Sequence, residues 1–421
     1  MLAAAVFLAS QDGPHAVTSL PPPTKQDAQH MRAVVLGLEH IDRQPDRSGD
    51  LGGTLEEWNG LLRILARSQP ALAGQVTLED GGLALAATLR LPGDIWPGRL
   101  TLRVLMPPSD SDPRPSAIRI GSLPLPPQAT LWVASRVADL RFGPGSGEAT
   151  LAMLKGFDID GDRVRFDVVL PDGTEGRVSR TLLAEAVGSH LPDREDVVAY
   201  VDAFERLAEA GTLPRNGSFL PWIQATLDLA IEKADPDDPG RTLLAAFLAL
   251  DRLCGSGTLA RILPTDEETG RREIRSPRIC GSASLHNRPD LRQHFVTAGT
   301  IRLLSNRGVA VTAGETKELS DFESTGFDFT DIAGNNSGIR FVSRLAATPP
   351  EEWPEIRAMI QQETDIIIPL HGVPGGLSPA AFRLRFGTVD SPEYRAMLDE
   401  IEARIDRLPI HARPPAPGQE G

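Results

Sequence analysis

The residues best able to do chemistry in this chain fall between Asp290 and Phe341, where His294, Lys317, Glu318, Asp321, Asp328, Asp331 and Asn335 lie among apolar segments of helical spacing. His294 follows Asp290 by one helical turn. A carboxylate at that distance can hold an imidazole in one tautomer, as a general base or a metal ligand requires. Glu318 and Asp321 are three residues apart and share a helix face. Paired carboxylates can divide the work of acid and base, or bind a divalent metal together with His294. His294, Glu318 and Asp321 are therefore the candidate catalytic residues, and Asp290, Lys317, Asp331 and Asn335 the candidate binding residues. The bland readings are an ordinary surface pair with Asp290 or a hydrogen-bonded core histidine for His294, and a solvated helix end, balanced by Lys317, for the two acids. If the two helices run antiparallel, joined by a loop over 305–309, His294, Glu318 and Asp321 can meet in one pocket.

The elements that would position these groups can be read nearby. Asp328 stands where a helix begins and can cap it, with Asp331 in its first turn near the positive helix end. Asn335 comes one turn after Asp331. Gly334 and Gly338 are four apart in the same helix, where glycine costs about 1 kcal/mol relative to alanine. A close crossing by another helix is the reason that cost would be tolerated.

Other motifs are weaker. Asp158-Ile159-Asp160-Gly161-Asp162 suggests a calcium loop, but an EF-hand needs glycine at its sixth position and glutamate at its twelfth. Here the glycine is fourth and the twelfth residue is Val169, so a β-turn is expected. The glycine-rich run Gly143–Gly147 lacks the strand-to-helix context of a dinucleotide site and reads as a loop. Cys254 and Cys280 could close a loop in an oxidising compartment or remain two thiols, and the sequence leaves this open.

The 421 residues suggest two or three domains, and 41% hydrophobic content is an ordinary globular balance. A net charge of -14 repels a phosphate backbone, so nucleic acid is not an expected partner. The N-terminal MLAAAVFLAS, followed by polar and proline-rich residues, has the shape of a secretory h-region without its positive start, so residues 1–24 read as a signal-like segment and linker. No run approaches the ~18 apolar residues of a membrane span.

Between 25 and 190 the pattern predicts an α+β domain. It begins with helices over 25–45 and from Thr54, the latter opened by the Thr54/Glu57 capping box. Two-residue alternation follows at Leu83–Ala87, Leu100–Val104, Ala117–Ile120 and Val164–Leu170, with a helix over 128–141. A linker is expected near His190–Asp193. From 194 to 410 the periodicity is helical, over 194–210, 219–233, 241–253, 290–304, 330–346, 351–363 and 391–407. The proline-rich tail 411–421 is expected to be disordered. The predicted fold class is α+β: an N-terminal antiparallel-sheet domain with helices, then a mainly α-helical C-terminal domain.

The series His294-Phe295, Gly314, Lys317-Glu318, Asp321, Gly326-Phe327-x-Phe329-x-Asp331 and Gly338 resembles the YfiM-type family of predicted periplasmic lipoproteins. The longer region 240–408, with Gly375-Gly376-Leu377, Phe382 and Phe386 before a last helix, resembles uncharacterised proteobacterial envelope proteins. The chain departs from the family's glycine-serine turn, having Glu323-Ser324-Thr325 before Gly326. The N-terminal domain resembles membrane-anchored domains of the tubular lipid-binding type. These resemblances imply a periplasmic or cell-envelope location and peripheral or lipid-anchored membrane association, with envelope lipid or peptidoglycan as partner. They imply no established reaction. The expectation is a protein that binds or maintains lipid or cell-wall material. The alternative is a hydrolase of such material that uses His294, Glu318 and Asp321, with a divalent metal as its candidate cofactor.

Overall fold

The computed structural model describes residues 16–42, 44–68, 71–90, 99–111, 113–142, 148, 151–170, 192–256, 259, 279–304, 307–321 and 326–411. The signal-like residues 1–15, the 143–147 loop, the linker up to 191 and the tail beyond 411 lie outside them. The chain divides into two compact units at Thr181/Leu182.

The first unit holds α1 (Lys25–Asp42), β1 (Ser48–Thr54), α2 (Leu55–Ser68), β2 (Leu72–Glu79), β3 (Gly82–Arg90), β4 (Arg99–Met106), β5 (Ala117–Ile120), β6 (Leu123–Leu125), α3 (Pro127–Phe142), β7 (Leu154–Asp160) and β8 (Arg163–Val169). It has two antiparallel sheets, ordered β2-β3-β4-β5-β6 and β1-β8-β7. The capping box opens α2 as its residues suggest: Thr54 N–H donates to Glu57 (2.7 Å) and Glu57 N–H to the Thr54 hydroxyl (3.2 Å). Asp160 and Gly161 end β7 in a turn, with Gly161 at φ +62°.

Strand β1, sequence SGDLGGT, has no alternation to announce it. Two of its three glycines answer to helix α1 instead. A Cβ on Gly49 would stand 2.6 Å from Ile41, and one on Gly53 2.8 Å from His30. Helix α1 is tied to α2 by a buried, two-pronged ion pair in which Arg63 donates to Asp27 at 2.7 and 3.0 Å.

The larger sheet carries one apolar face. Val76, Leu85 and Val104 stand in register across it, and so do Leu78, Leu83 and Met106. The Leu83 end packs with Phe157 and Val164 of the smaller sheet. At the opposite end Leu72, Leu89 and Leu102 are exposed.

The second unit is helical: α4 (Arg194–Glu209), α5 (Leu220–Glu232), α6 (Pro239–Cys254), α7 (Pro289–Leu304), α8 (Arg307–Asp321), α9 (Phe329–Ala346), α10 (Trp353–Met359), α11 (Pro379–Phe386) and α12 (Pro392–Asp406). The fold class is α+β, as the periodicity indicates. Helix α8 starts at Arg307, so the loop expected over 305–309 is shorter. Helix α10 occupies only part of 351–363, between 3-10 turns at Pro350–Glu352 and Glu363–Asp365. Helix α6 is buried almost throughout and forms the centre with α7 and α9, where Phe247, Phe295 and Phe341 meet. Among the described residues no helix is long and apolar enough to cross a membrane.

Cys254, the last residue of α6, is bonded to Cys280, with the Cα atoms 5.5 Å apart and the residues 26 apart in sequence. A cross-link over that length stabilises a fold by about 3 kcal/mol in the chain-entropy account. Replacing both cysteines by serine is expected to lower the free energy of urea unfolding by about that amount. The native thiols should resist alkylation until reductant is added. Labelling of both in folded, unreduced protein would show that the bond does not form.

Candidate functional site

The site begins with the turn before α9. Gly326 has φ +84°, and a Cβ there would stand 2.6 Å from the carbonyl oxygen of Leu377, so only glycine fits. Phe327 then pairs with Leu377 through two backbone hydrogen bonds, of 2.8 and 2.9 Å. Phe327 and Phe329 pack among Phe382, Phe386 and Tyr394 from α11 and α12. This anchoring fixes Asp328 as the N-cap of α9. Its carboxylate accepts from the backbone N–H groups of Thr330 (2.8 Å) and Asp331 (3.3 Å), and from Gly376 N–H (3.1 Å).

Helix α9 then crosses α7 edge to edge along glycines. A Cβ on Gly338 would lie 2.1 Å from the carbonyl oxygen of Phe295; one on Gly334, 3.0 Å from Leu291 and 3.3 Å from His294. Gly299 faces the same crossing from α7, 3.3 Å from the Gly338 carbonyl oxygen by the same measure. The tight crossing expected from Gly334 and Gly338 is present, and it sets His294 against one face of α9.

Asp331 and Asn335, one turn apart on that face, take the two sides of the ring. His294 Nε2 is 3.0 Å from Asp331 Oδ2, and Nδ1 is 3.1 Å from Asn335 Oδ1. The His294 and Asp331 side chains are only 10% and 13% exposed. The sequence pointed to Asp290 as the carboxylate orienting this ring. The structure sets Asp331 there and commits Asp290 to Arg288.

Arg288 is the residue that sequence reading missed. It follows His286 and Asn287, both at positive φ (+49° and +60°), in a turn closed by its N–H to the Leu285 carbonyl at 2.8 Å. That turn directs the guanidinium onto α9. It bonds Asp331 at 2.7 Å, both oxygens of Asp290 at 3.2 Å and the Thr330 hydroxyl, and lies 3.6 Å from Asp328. Burial raises the Asp290 carboxyl, but the Arg288 hydrogen bond and charge outweigh it and hold the group below the usual carboxylate range. The Asp290 hydrogen bond in turn holds the guanidinium above its ordinary range. The only local sign in the sequence is His286-Asn287, residue types that tolerate a left-handed turn better than most.

Helices α7, α8 and α9 enclose a cleft of about 400 Å³. Asp290, His294, Lys317, Asp331 and Asn335 all line it, as do Arg288 and Asp328. The structure thus brings the four candidate binding residues together with His294. Glu318 and Asp321 belong to the last turns of α8, but their side chains lie outside the described residues. The lining is graded along its length. Ala298 and Ile301 of α7 pack against Ala310 of α8, while Asp290, Asp328 and Asp331 stand at the other end. Ser256, just after the disulfide-bonded Cys254, also lines the cleft, and its N–H donates to Thr297 (3.1 Å) and Asp251 (3.3 Å).

Both ring nitrogens of His294 face side-chain oxygens, Asp331 on one side and Asn335 on the other. Neither nitrogen opens to a substrate without the loss of one of these contacts. Among the described residues no group of three or more His, Cys, Asp or Glu side chains could hold a metal ion. The arrangement is suited to holding and orienting a small molecule. Compared with known proteins, the chain matches no family model, no curated protein and no solved structure.

Proposed function

We propose that this is an exported cell-envelope protein that binds lipid or cell-wall material, and that the α7–α8–α9 cleft of its helical unit is the binding site. The observation that carries the reading is the graded cleft with His294 clamped between Asp331 and Asn335. Clefts of roughly 300–1,000 Å³ with a few convergent polar groups are the usual form of small-molecule sites. The Cys254–Cys280 bond supports export, since disulfides persist in oxidising compartments. The exposed Leu72, Leu89 and Leu102 on the apolar sheet face support association of the first unit with lipid.

The alternative, a hydrolase of envelope material, draws support from the 3.0 Å His294–Asp331 pair, which is a familiar acid–base arrangement. One set of experiments separates the two. Purified full-length protein is screened against lipid vesicles and peptidoglycan fragments for binding and for product release, alongside metal analysis. The binding reading expects saturable binding without turnover, weakened by His294→Ala. Turnover by the wild type that is lost in Glu318→Gln would replace it with the hydrolase.

A further inference from the structure

The polar side of the cleft contains a hydrogen-bond donor with nothing to donate to. Asn335 is 5% exposed, its Oδ1 is taken up by His294 Nδ1, and its Nδ2 has no partner among the described residues. A buried amide N–H left unpaired costs roughly 1–3 kcal/mol. The group lies beside Gly314 of α8, which lines the same cleft. A Cβ on Gly314 would stand 2.7 Å from Nδ2, closer than a side chain can come. The glycine therefore keeps α8 from crowding a donor that the protein does not satisfy, on the wall of the same cleft.

The acids around that donor are already paired. Asp331 lies between Arg288 and His294, and Asp290 and Asp328 also face Arg288. Arg288 and Lys317 are the basic side chains of the lining, set against the carboxylates of Asp290, Asp328 and Asp331. An entering carboxylate meets an uncommitted amide donor, with Lys317 on the same lining and the three acids drawn toward Arg288. Beyond it lies the apolar end at Ala298, Ile301 and Ala310. About 400 Å³ is at the small end of ligand sites.

We infer that the ligand of this cleft is a small monocarboxylate with a short apolar tail, its carboxylate accepting from Asn335 Nδ2 and its tail lying toward Ile301 and Ala310. This rests on the cleft being the binding site proposed above and names what it takes. A short acyl acid and the C-terminal end of an apolar amino acid share this chemistry.

The test is isothermal titration of the full-length protein with hexanoate, N-acetyl-leucine, hexanol and hexylamine. The two acids are expected to bind; hexylamine, which offers the donor no acceptor, should bind at least about tenfold more weakly, and hexanol, whose hydroxyl accepts without a charge, more weakly than the acids. Asn335→Asp, nearly the same shape without the donor, should weaken the acids by about tenfold or more. Gly314→Ala crowds the donor from the other helix and should do the same, with circular dichroism confirming that both variants fold. Hexanoate bound and N-acetyl-leucine excluded would identify the acyl source, and the reverse the amino-acid source. Binding of hexylamine in preference to the acids would mean that the amide presents Oδ1 instead. That result would overturn the carboxylate assignment and leave the cleft as a site. Acid binding unchanged in both variants would also overturn it. No binding by any of the four, alongside binding in the lipid or peptidoglycan screen, would remove the carboxylate assignment alone. Failure of both would remove the binding function as well.

Discussion

Gly338→Ala is expected to unfold the helical unit or come close to it. The added Cβ would sit 2.1 Å from the carbonyl oxygen of Phe295, 2.8 Å from its carbonyl carbon and 3.0 Å from its Cα. All three are backbone atoms of α7, so no side-chain rotation relieves the clash and the two helices must separate. Overpacking a core usually costs about 1–3 kcal/mol, and the upper values belong to sites that cannot relax. Here separation also loosens the contacts of buried Phe295 and Phe341 and draws His294 off Asp331. A cost of about 4 kcal/mol or more is therefore expected, a large part of a typical domain's stability. Gly334→Ala is the control. Its nearest contact, at 3.0 Å, is the far end of the Leu291 side chain, which can move. Its cost should stay near 1 kcal/mol, because the alanine also favours the helix. Urea unfolding followed by circular dichroism reads both. Similar midpoints for Gly338→Ala and Gly334→Ala would mean that the crossing is not as close as described.

These glycines also show what a sequence can disclose. Gly334 and Gly338 sit at a spacing that puts them on one helix face, so their purpose can be inferred before the partner helix is known. Asp328 is legible for a similar reason, since a cap acts on residues two and three positions away. The partner of His294 is a different case. Asp290 is one turn away along the same helix, while Asp331 is thirty-seven residues on and arrives only through the α7–α9 crossing. Arg288 was hidden because its direction depends on two left-handed residues whose φ angles no side-chain pattern records. Strand β1 was hidden because its composition is set by the approach of α1, which removes the side chains that would have shown alternation. Where local chemistry decides, the sequence shows it. Where a distant contact decides, only the fold does.

Removing the carboxylate of Asp331 should be the most damaging single change within the site. It accepts from Arg288 at 2.7 Å and stands 3.0 Å from His294 Nε2, with the pair mostly withdrawn from water. Breaking a buried ion pair from one side typically costs about 3–5 kcal/mol, because the remaining charge keeps its desolvation and loses its partner. Arg288 retains Asp290, so Asp331→Ala should fall near the lower end of that range. His294→Ala should cost less, about 1–3 kcal/mol, since Asp331 keeps Arg288. The two are in contact and should not add. Once Asp331 is gone, His294 has already lost one of its two restraints, and its removal should cost about 1–2 kcal/mol less than in the wild type. The cycle is read from urea unfolding of the four proteins, with Gln293→Ala as a neighbouring lining residue that should couple weakly. If the Asp331 and His294 costs add to within about 0.5 kcal/mol, the ring and the carboxylate do not depend on one another. The same cycle run between His294 and Glu318 asks whether that carboxylate joins the site. Coupling there would extend the cluster to the end of α8, while additivity would leave Asp331 as the partner through which His294 is held.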